Sequence, residues 1–284
     1  MKRIFVYTLL LAGVFSSCEK RVNISLPYEG DRIVVNSLIQ PDSVMYVRIT
    51  RSVPVSVYDD SGFEEIPNAA VTLEENGTML ASLKQQRILG RTYFVSTEKA
   101  MRGRKYDIRV SVPGMTPVSG SDTLPCAPII GNASAQRGGS RIQFMLTDPP
   151  GSTDYYRIRV FTYGPTHQPD TIRQFQLDPT FNNNIEDVLS SYNNTFLVMQ
   201  DTRFNGKQVN FVLEAKDPLI DTDQVMIEVS ALTYDSYRYF KTIASQQRTA
   251  TGLITEPIRV FTNINAGYGI FAGINTKRLV FTLE

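Results

Sequence analysis

The feature that most restricts what this chain can become is an alternation of apolar and polar residues with a period of two. In Lys105 to Val112 the residues Tyr106, Ile108, Val110 and Val112 alternate with Lys105, Asp107, Arg109 and Ser111, which puts the apolar groups on one face of an extended strand. The same pattern runs through Tyr156, Ile158 and Val160 against Arg157 and Arg159, and through Val225, Ile227, Val229 and Ala231 against Glu228 and Ser230. Further strands are expected at Arg32 to Leu38, Met45 to Arg51, Ala70 to Glu74, Arg141 to Leu146, Val209 to Glu214 and Leu279 to Leu283. Asn76-Gly77 suits the two positive-φ positions of a type I′ turn and predicts a hairpin there. Many short strands between turn signals predict an all-β fold of two β-sandwich domains rather than a parallel α/β sheet.

From Val112 to Asn132 the chain carries Pro113, Pro117, Pro125 and Pro128 with Gly114, Gly120 and Gly131, residues that interrupt pairing and stiffen a connection. A domain junction is therefore expected near Cys126. Residues 26–125 then form an N-terminal sandwich, immunoglobulin-like or transthyretin-like, and residues 126–284 a larger one. The second contains a polar, Asn-rich insertion at 181–194, read as a loop or short helix. It also holds the one expected α-helix, about 235–247, where Tyr237, Phe240, Ile243 and Ala244 recur at helical spacing after a Thr233 N-cap. That helix should pack on the second sandwich.

The N-terminus carries the most specific chemistry. Lys2 and Arg3 precede an apolar run from Ile4 to Val14, which is shorter than the ~20 residues a membrane span requires but right for a signal-peptide core. Phe15-Ser16-Ser17-Cys18 follows, with small residues before a cysteine, as a lipoprotein signal peptidase requires. Residues 1–17 are thus expected to be a cleaved signal, Cys18 to become lipidated, and residues 18–25 to be a tether. Two acyl chains, at about 0.8 kcal/mol per buried CH₂, hold a protein to a bilayer stably.

The remaining composition argues against several functions. The formal charge of +1 becomes −1 when Lys2 and Arg3 leave with the signal, so no long-range field favours nucleic acid or anionic lipid. Beyond Cys18 the only cysteine is Cys126, without a disulfide partner and read as a small buried residue at a strand or linker end. The single histidine, His167, lies in Gly164-Pro165-Thr166-His167-Gln168-Pro169, where it completes no triad and reads as a loop residue. No His or Cys metal cluster exists. Asp217, Asp221 and Asp223 could offer hard oxygens to Ca²⁺, or simply form a solvated turn, because their spacing matches no calcium loop. Glu64-Glu65 and Glu74-Glu75 make no glycosidase pair, since adjacent strand residues point to opposite faces. The glycine-rich end lacks the Lys-Ser/Thr of a phosphate loop. We expect no enzyme activity and no cofactor.

The order of these features resembles the lipoprotein family of the phylum Bacteroidota known as domain of unknown function 4249. Cys18-Glu19-Lys20-Arg21 is similar to its lipidated start, Arg32 to Ile39 to its first strand, and Ile49-Thr50-Arg51-Ser52-Val53-Pro54 to a strand ending in a "trS-P" element. Asn68 to Leu73 with Asn76-Gly77 is similar to its "NAxVtL…nG" hairpin. Later landmarks are Asp148-Pro149-Pro150-Gly151 before Tyr155-Tyr156-Arg157-Ile158, then Asp201-Thr202-Arg203-Phe204-Asn205-Gly206, the helix Tyr234 to Phe240, Glu256-Pro257, Asn263-Ile264 and Gly267 to Gly273. Where the family has a "dG.Y" turn, this chain has Leu89-Gly90-Arg91-Thr92-Tyr93.

The resemblance implies a non-enzymatic lipoprotein of the outer membrane that accompanies a TonB-dependent, SusC-like transporter, with surface display favoured over the periplasmic face. It would capture or admit a peptide, glycan or small nutrient. The absence of Trp among 14 Tyr and 15 Phe counts against a broad sugar platform. The alternative is a structural or adhesive surface protein of serial sandwiches. The residues expected to meet a partner or ligand are Phe204, Asn205 and Gly206 with Asn263, Gly267, Tyr268, Gly269 and Phe271. The glycines permit close backbone approach, which serves either a docking surface or a strand and bulge near a sheet edge. Asp42-Ser43-Val44, Asp122-Thr123-Leu124 and Asp170-Thr171-Ile172 look like the sites where this phylum O-glycosylates exported proteins, making Ser43, Thr123 and Thr171 candidates.

Overall fold

Alternation becomes pleating in the computed structural model, which describes residues 28, 30–54, 63–80, 83–163, 169–178, 195–220, 222–249 and 258–284. In β1 (Ile33–Ile39) the side chains of Ile33, Val35 and Ile39 are buried while Val34, Asn36 and Leu38 are half-buried. There follow β2 (Val44–Arg51), β3 (Ala70–Glu75), β4 (Thr78–Met79), β5 (Lys84–Ile88), β6 (Arg91–Lys99), β7 (Lys105–Ser111) and β8 (Val118–Thr123). Next come β9 (Ile129–Ala135), β10 (Arg141–Thr147), β11 (Tyr155–Tyr163), β12 (Pro169–Ile172), β13 (Phe175–Leu177), β14 (Leu197–Gln200), β15 (Gln208–Ala215) and β16 (Gln224–Leu232). The helix α1 (Tyr234–Thr249) and the long β17 (Tyr268–Thr282) complete the described chain.

Nine strands form one sheet in the order β12-β11-β16-β17-β1-β2-β6-β5, with β14 also on β11. A four-stranded sheet, β4-β3-β7-β8, covers one half of it, and another, β13-β15-β10-β9, covers the other. The first core lies between β1, β2, β6 and the β3–β7–β8 face, and includes Val35, Val47, Leu73, Tyr106 and Ile108. The second includes Ile142, Phe144, Ile158, Phe175, Phe211 and Ile227, with Phe144 stacked on Phe211 at 5.5 Å. Each such side chain contributes about 1.5–3 kcal/mol by leaving water.

The strand β17 belongs to both sandwiches. Its first part, Tyr268 to Gly273, runs parallel to β1, and the remainder, Ile274 to Thr282, runs antiparallel to β16. A division of the chain at Cys126 therefore leaves out one element: the first core also takes Ile264 and Phe271 from the far end of the sequence. The expected short strand at Leu279 is the tail of this 15-residue one.

Two other segments differ from expectation. The Pro- and Gly-containing connection at Val112 to Asn132 contains β8 and the start of β9. Ser119, Gly120 and Ser121 give no hydrophobic signal, and Gly120 is small for a reason, since a Cβ there would lie 2.8 Å from Ile264 Cδ1. The edge strand β5, Lys-Gln-Gln-Arg-Ile, is exposed up to a half-buried Ile88 and shows no alternation.

The hairpin at Asn76-Gly77 has φ of 48° and 80°, the type I′ signature. Leu89-Gly90 repeats it with φ of 48° and 78°, although a leucine in the left-handed region costs roughly 1–2 kcal/mol.

The helix α1 extends one residue before and two after the expected 235–247. Thr233 Oγ accepts the Ser236 N–H at 3.3 Å, a side-chain cap. On the outer face of the large sheet, Tyr237 and Phe240 pack on Leu232 and Ile274. This covering buries polar groups that alternation alone places in solvent. Glu228 sits among Arg159 at 2.5 Å, Arg278 at 3.0 Å and Arg157 at 3.7 Å. Burial alone would raise the Glu228 carboxyl, but hydrogen bonds and charge from Arg159, then Arg278 and Arg157, hold it below its ordinary value. Burial, reinforced by Arg159, lowers Arg157 to about 10, and its guanidinium lies 4.4 Å from the Phe240 ring centre.

Candidate functional site

The glycine-rich segment builds the junction between the sandwiches. Val35 pairs with Gly269 and Ile39 with Gly273 in the parallel register. A Cβ on Gly269 would fall 1.9 Å from the Val35 carbonyl oxygen, and Gly269 has φ of 98°. A Cβ on Gly273 would fall 1.9 Å from the Thr123 carbonyl oxygen, and one on Gly267 2.6 Å from that of Ile33. The glycines are thus required by the close passage of β17 past β1 and β8.

Side chains close what the backbone leaves open. Asn263 accepts the Phe271 N–H at 3.0 Å and donates to the Phe271 carbonyl at 2.8 Å, acting as a piece of strand, and also donates to Asp235 at 3.0 Å. Asn265 exchanges both backbone hydrogen bonds with Ser119. The Asp122 carboxylate accepts from the Thr233 hydroxyl at 2.5 Å and the N–H groups of Gly273 and Thr123 at 2.9 and 2.8 Å. Burial raises the Asp122 carboxyl against these lowering bonds, with a smaller push from Asp235. Asp122 therefore ties β8, β17 and the start of α1 together.

Beside this junction lies an open groove of about 570 Å³. Asp107, Arg109, Ser119, Ser121, Asp235 and Asn263 line it, so it offers hydroxyls, an amide and carboxylates to a polar ligand. A second hollow, about 470 Å³, lies at Ser134, Arg141, Glu214 and Glu284 on the second sandwich.

A different corner gathers charge. Asp148, Asp154 and Asp201 bring carboxylate oxygens within 4.8 Å of one another. Asp148 accepts from the Tyr156 hydroxyl at 2.7 Å and the Gly206 N–H at 2.8 Å. The Asp201 N–H donates to the Asp154 carbonyl at 3.0 Å. Asn205 holds the two loops together, donating to Asp201 at 2.9 Å and to the Ser152 carbonyl, and accepting from the Gly151 N–H. Burial and then the Asp148 charge raise Asp154, while burial and the charges of Asp148 and Asp154 raise Asp201. Burial and the bond to Asp148 raise the Tyr156 phenol in turn. Oxygens so placed suit a hard cation such as Ca²⁺. Spacing along the chain gives no hint of this group, since 148 and 201 meet only through folding. The available sign is that Asp148 and Asp201 each open one of the quoted landmark segments.

The residues expected to face a partner do not form one surface. Phe204 is buried in the second core, between Tyr156 and Phe211, and Phe271 is buried in the first. Gly267 is buried in the junction, Gly269 is half-buried there, and Asn205 and Gly206 are exposed in the acidic corner. Tyr268 is half-buried, flanked by Arg32 and Arg259 at 5.6 and 5.5 Å. Asn263 lines the groove beside the junction. The aromatic landmarks were core residues because each sits at an inward strand or loop position.

Asp217 and Asp223 are exposed, and Asp223 is paired with Arg137 at 2.6 Å. The Ser43 hydroxyl is half-buried and donates to the Val44 carbonyl, whereas Thr123 is exposed. Thr171 lies on the backbone of β12. Cys126 is free and, against the expected burial, exposed, because it lies on the connection between β8 and β9 rather than on an inward strand position. Cys18, the signal and tether, His167, Asp221 and the 181–194 insertion lie outside the described residues.

These features define a β-sandwich protein whose two halves share one sheet. The profile of the family described as Domain of unknown function (DUF4249) matches residues 19–279, and the chain belongs to that family. A search of curated proteins gives no match. Among solved structures, the collagen adhesin of S. aureus aligns at 9% identity over 88% of this chain and 94% of that one, with a TM-score of 0.24.

Proposed function

We propose that the protein is a non-enzymatic lipoprotein, held by acyl chains on Cys18 in an outer membrane, that serves a TonB-dependent β-barrel transporter as an accessory or ligand-capturing partner. The observation that carries this reading is the sequence before Tyr28. A basic n-region, a short apolar core and Ser16-Ser17-Cys18 are what acylating export machinery reads, and the family match starts directly after Cys18. The transporter partnership rests on the resemblance. The polar groove at Asp107, Ser121, Asp235 and Asn263 is the place we assign to ligand capture, because it presents hydrogen-bonding groups fixed by a rigid junction. A peptide, a glycan or a small polar nutrient fits that chemistry.

Affinity purification from native outer membrane tests the partnership. It should recover a large β-barrel at a fixed ratio to this protein. Recovery of self-assembled polymers without a barrel would favour the structural or adhesive alternative.

A further inference from the structure

One end of the first sandwich combines features found together nowhere else on its described surface, and strand register identifies that end. Ile33 lies opposite Arg51, and Phe94 opposite Val47. The Leu89-Gly90 turn, which joins Ile88 to Arg91, therefore stands level with the point where the chain enters β1 from Tyr28. Hydrogen bonds tie this end together. The Tyr28 hydroxyl donates to Asp31 and to the Ser52 carbonyl, Arg51 pairs with Asp31 and Glu64, and the Thr92 N–H donates to Glu65.

Exposed apolar groups stand on this frame: Leu89 is 98% exposed, and Tyr28 and Phe63 are each 43% exposed. Leu89 is the unusual one. The same turn geometry at Asn76-Gly77 uses asparagine, which tolerates a positive φ and is soluble. Leucine satisfies neither requirement. Arg87 and Arg91 flank it, both exposed; among the described residues neither forms a salt bridge within 4 Å, and Arg87 lies near enough to Glu65 to help lower that carboxyl. At the opposite end the exposed Met79 and Met101 lie near Arg102, Arg104 and Lys105, which are paired with Asp42, Glu75 and Asp107. From Cys18 to Tyr28 the chain, fully extended, spans at most about 35 Å, so the Leu89 end stays close to whatever surface holds Cys18.

We propose that this end docks on the lipid surface itself: Leu89, beside Tyr28 and Phe63, enters the interfacial layer while Arg87 and Arg91 meet anionic headgroup phosphates. This rests on the acylation of Cys18. The mature net charge of −1 supplies no long-range pull toward an anionic surface, so the attraction is local: an apolar tip between basic residues binds such an interface by burial together with short-range charge pairing. Docking would fix the orientation of the sandwiches and turn their far ends toward a partner in the same membrane.

The test uses protein expressed with its own leader and purified from the membranes of the expressing cells, in a Cys126→Ser background, reconstituted on vesicles of equimolar phosphatidylcholine and phosphatidylglycerol. An environment-sensitive fluorophore is placed at Leu89→Cys in one sample and at Met79→Cys in another. Docking predicts blue-shifted emission and several-fold stronger quenching by nitroxide-labelled lipid at position 89 than at 79. Equal quenching, or stronger quenching at 79, overturns it. Flotation of the vesicles separates the two claims. Protein that floats with the position 89 probe still in water refutes docking and leaves acylation standing, whereas protein that does not float refutes acylation and docking together.

Discussion

The junction between the sandwiches and the acidic corner of the second one are made of similar material, short segments rich in Gly, Asn and Asp, yet their energetics are opposed. In the junction the polar groups converge on partners: Asn263 bonds both backbone groups of Phe271, and Asp122 collects three donors. No space remains even for a methyl group at Gly269 or Gly273. In the corner, Asp148, Asp154 and Asp201 face one another, and burial first, then the charge of neighbouring carboxylates, raises Asp154 and Asp201. The first region is over-determined and carries the architecture. The second is held by Asn205 and Tyr156 against its own repulsion, which is the state of a group poised to accept positive charge.

The largest effects should come from the junction. Gly273→Ala or Gly269→Ala forces a methyl group into a carbonyl oxygen, so each should lose at least ~3 kcal/mol or fail to fold, beyond ordinary overpacking. Thermal unfolding checks this, and a wild-type midpoint would break the contrast. Asn263→Ala strands the Phe271 N–H and should cost about 1–3 kcal/mol. Because β17 is shared, we expect this variant to broaden calorimetric unfolding toward two transitions, one for each sandwich.

In the corner the sign reverses. Asp154 and Asp201 have raised folded-state values, so their contribution to stability is present below the ordinary carboxylate range and lost as pH rises through the raised value. Asp154→Asn should therefore match the wild type near pH 3 and, after solvent screening, exceed it by roughly 0.5–1 kcal/mol at pH 7. Unfolding measured across that range in chelator-treated buffer reads the difference. A loss of stability at pH 7 would mean that the three carboxylates do not repel. The smallest effect is expected outside both regions. Leu89→Asn should raise stability by about 0.5 kcal/mol by relieving the left-handed leucine, measurable as a small shift of the denaturant midpoint.

The same contrast explains what could be read from the sequence. Strands with one apolar face, such as Lys105 to Ser111, and the α1 pattern at Tyr237 and Phe240 were legible because burial follows period. The edge strand Lys84–Ile88 and the Ser-Gly-Ser of β8 were not, because pairing there depends on backbone bonds rather than on side-chain burial. Gly267 to Gly273 announced a close approach correctly in kind, but only the fold shows that the approaching groups are Ile33, Val35 and Thr123 of the same chain. The acidic corner was illegible because its members are brought together by the meeting of two distant loops. Phe204 and Phe271 looked available because a landmark segment does not reveal which way its aromatic ring points.

The central claim is that this rigid pair of sandwiches works at a lipid boundary to which Cys18 holds it, and phase partition of native protein in a clouding detergent addresses it directly. Wild-type protein should collect in the detergent phase, with a mass exceeding that of residues 18–284 by a diacylglyceryl-type modification, while Cys18→Ser should move to the aqueous phase. Equal partition of the two proteins would contradict the account.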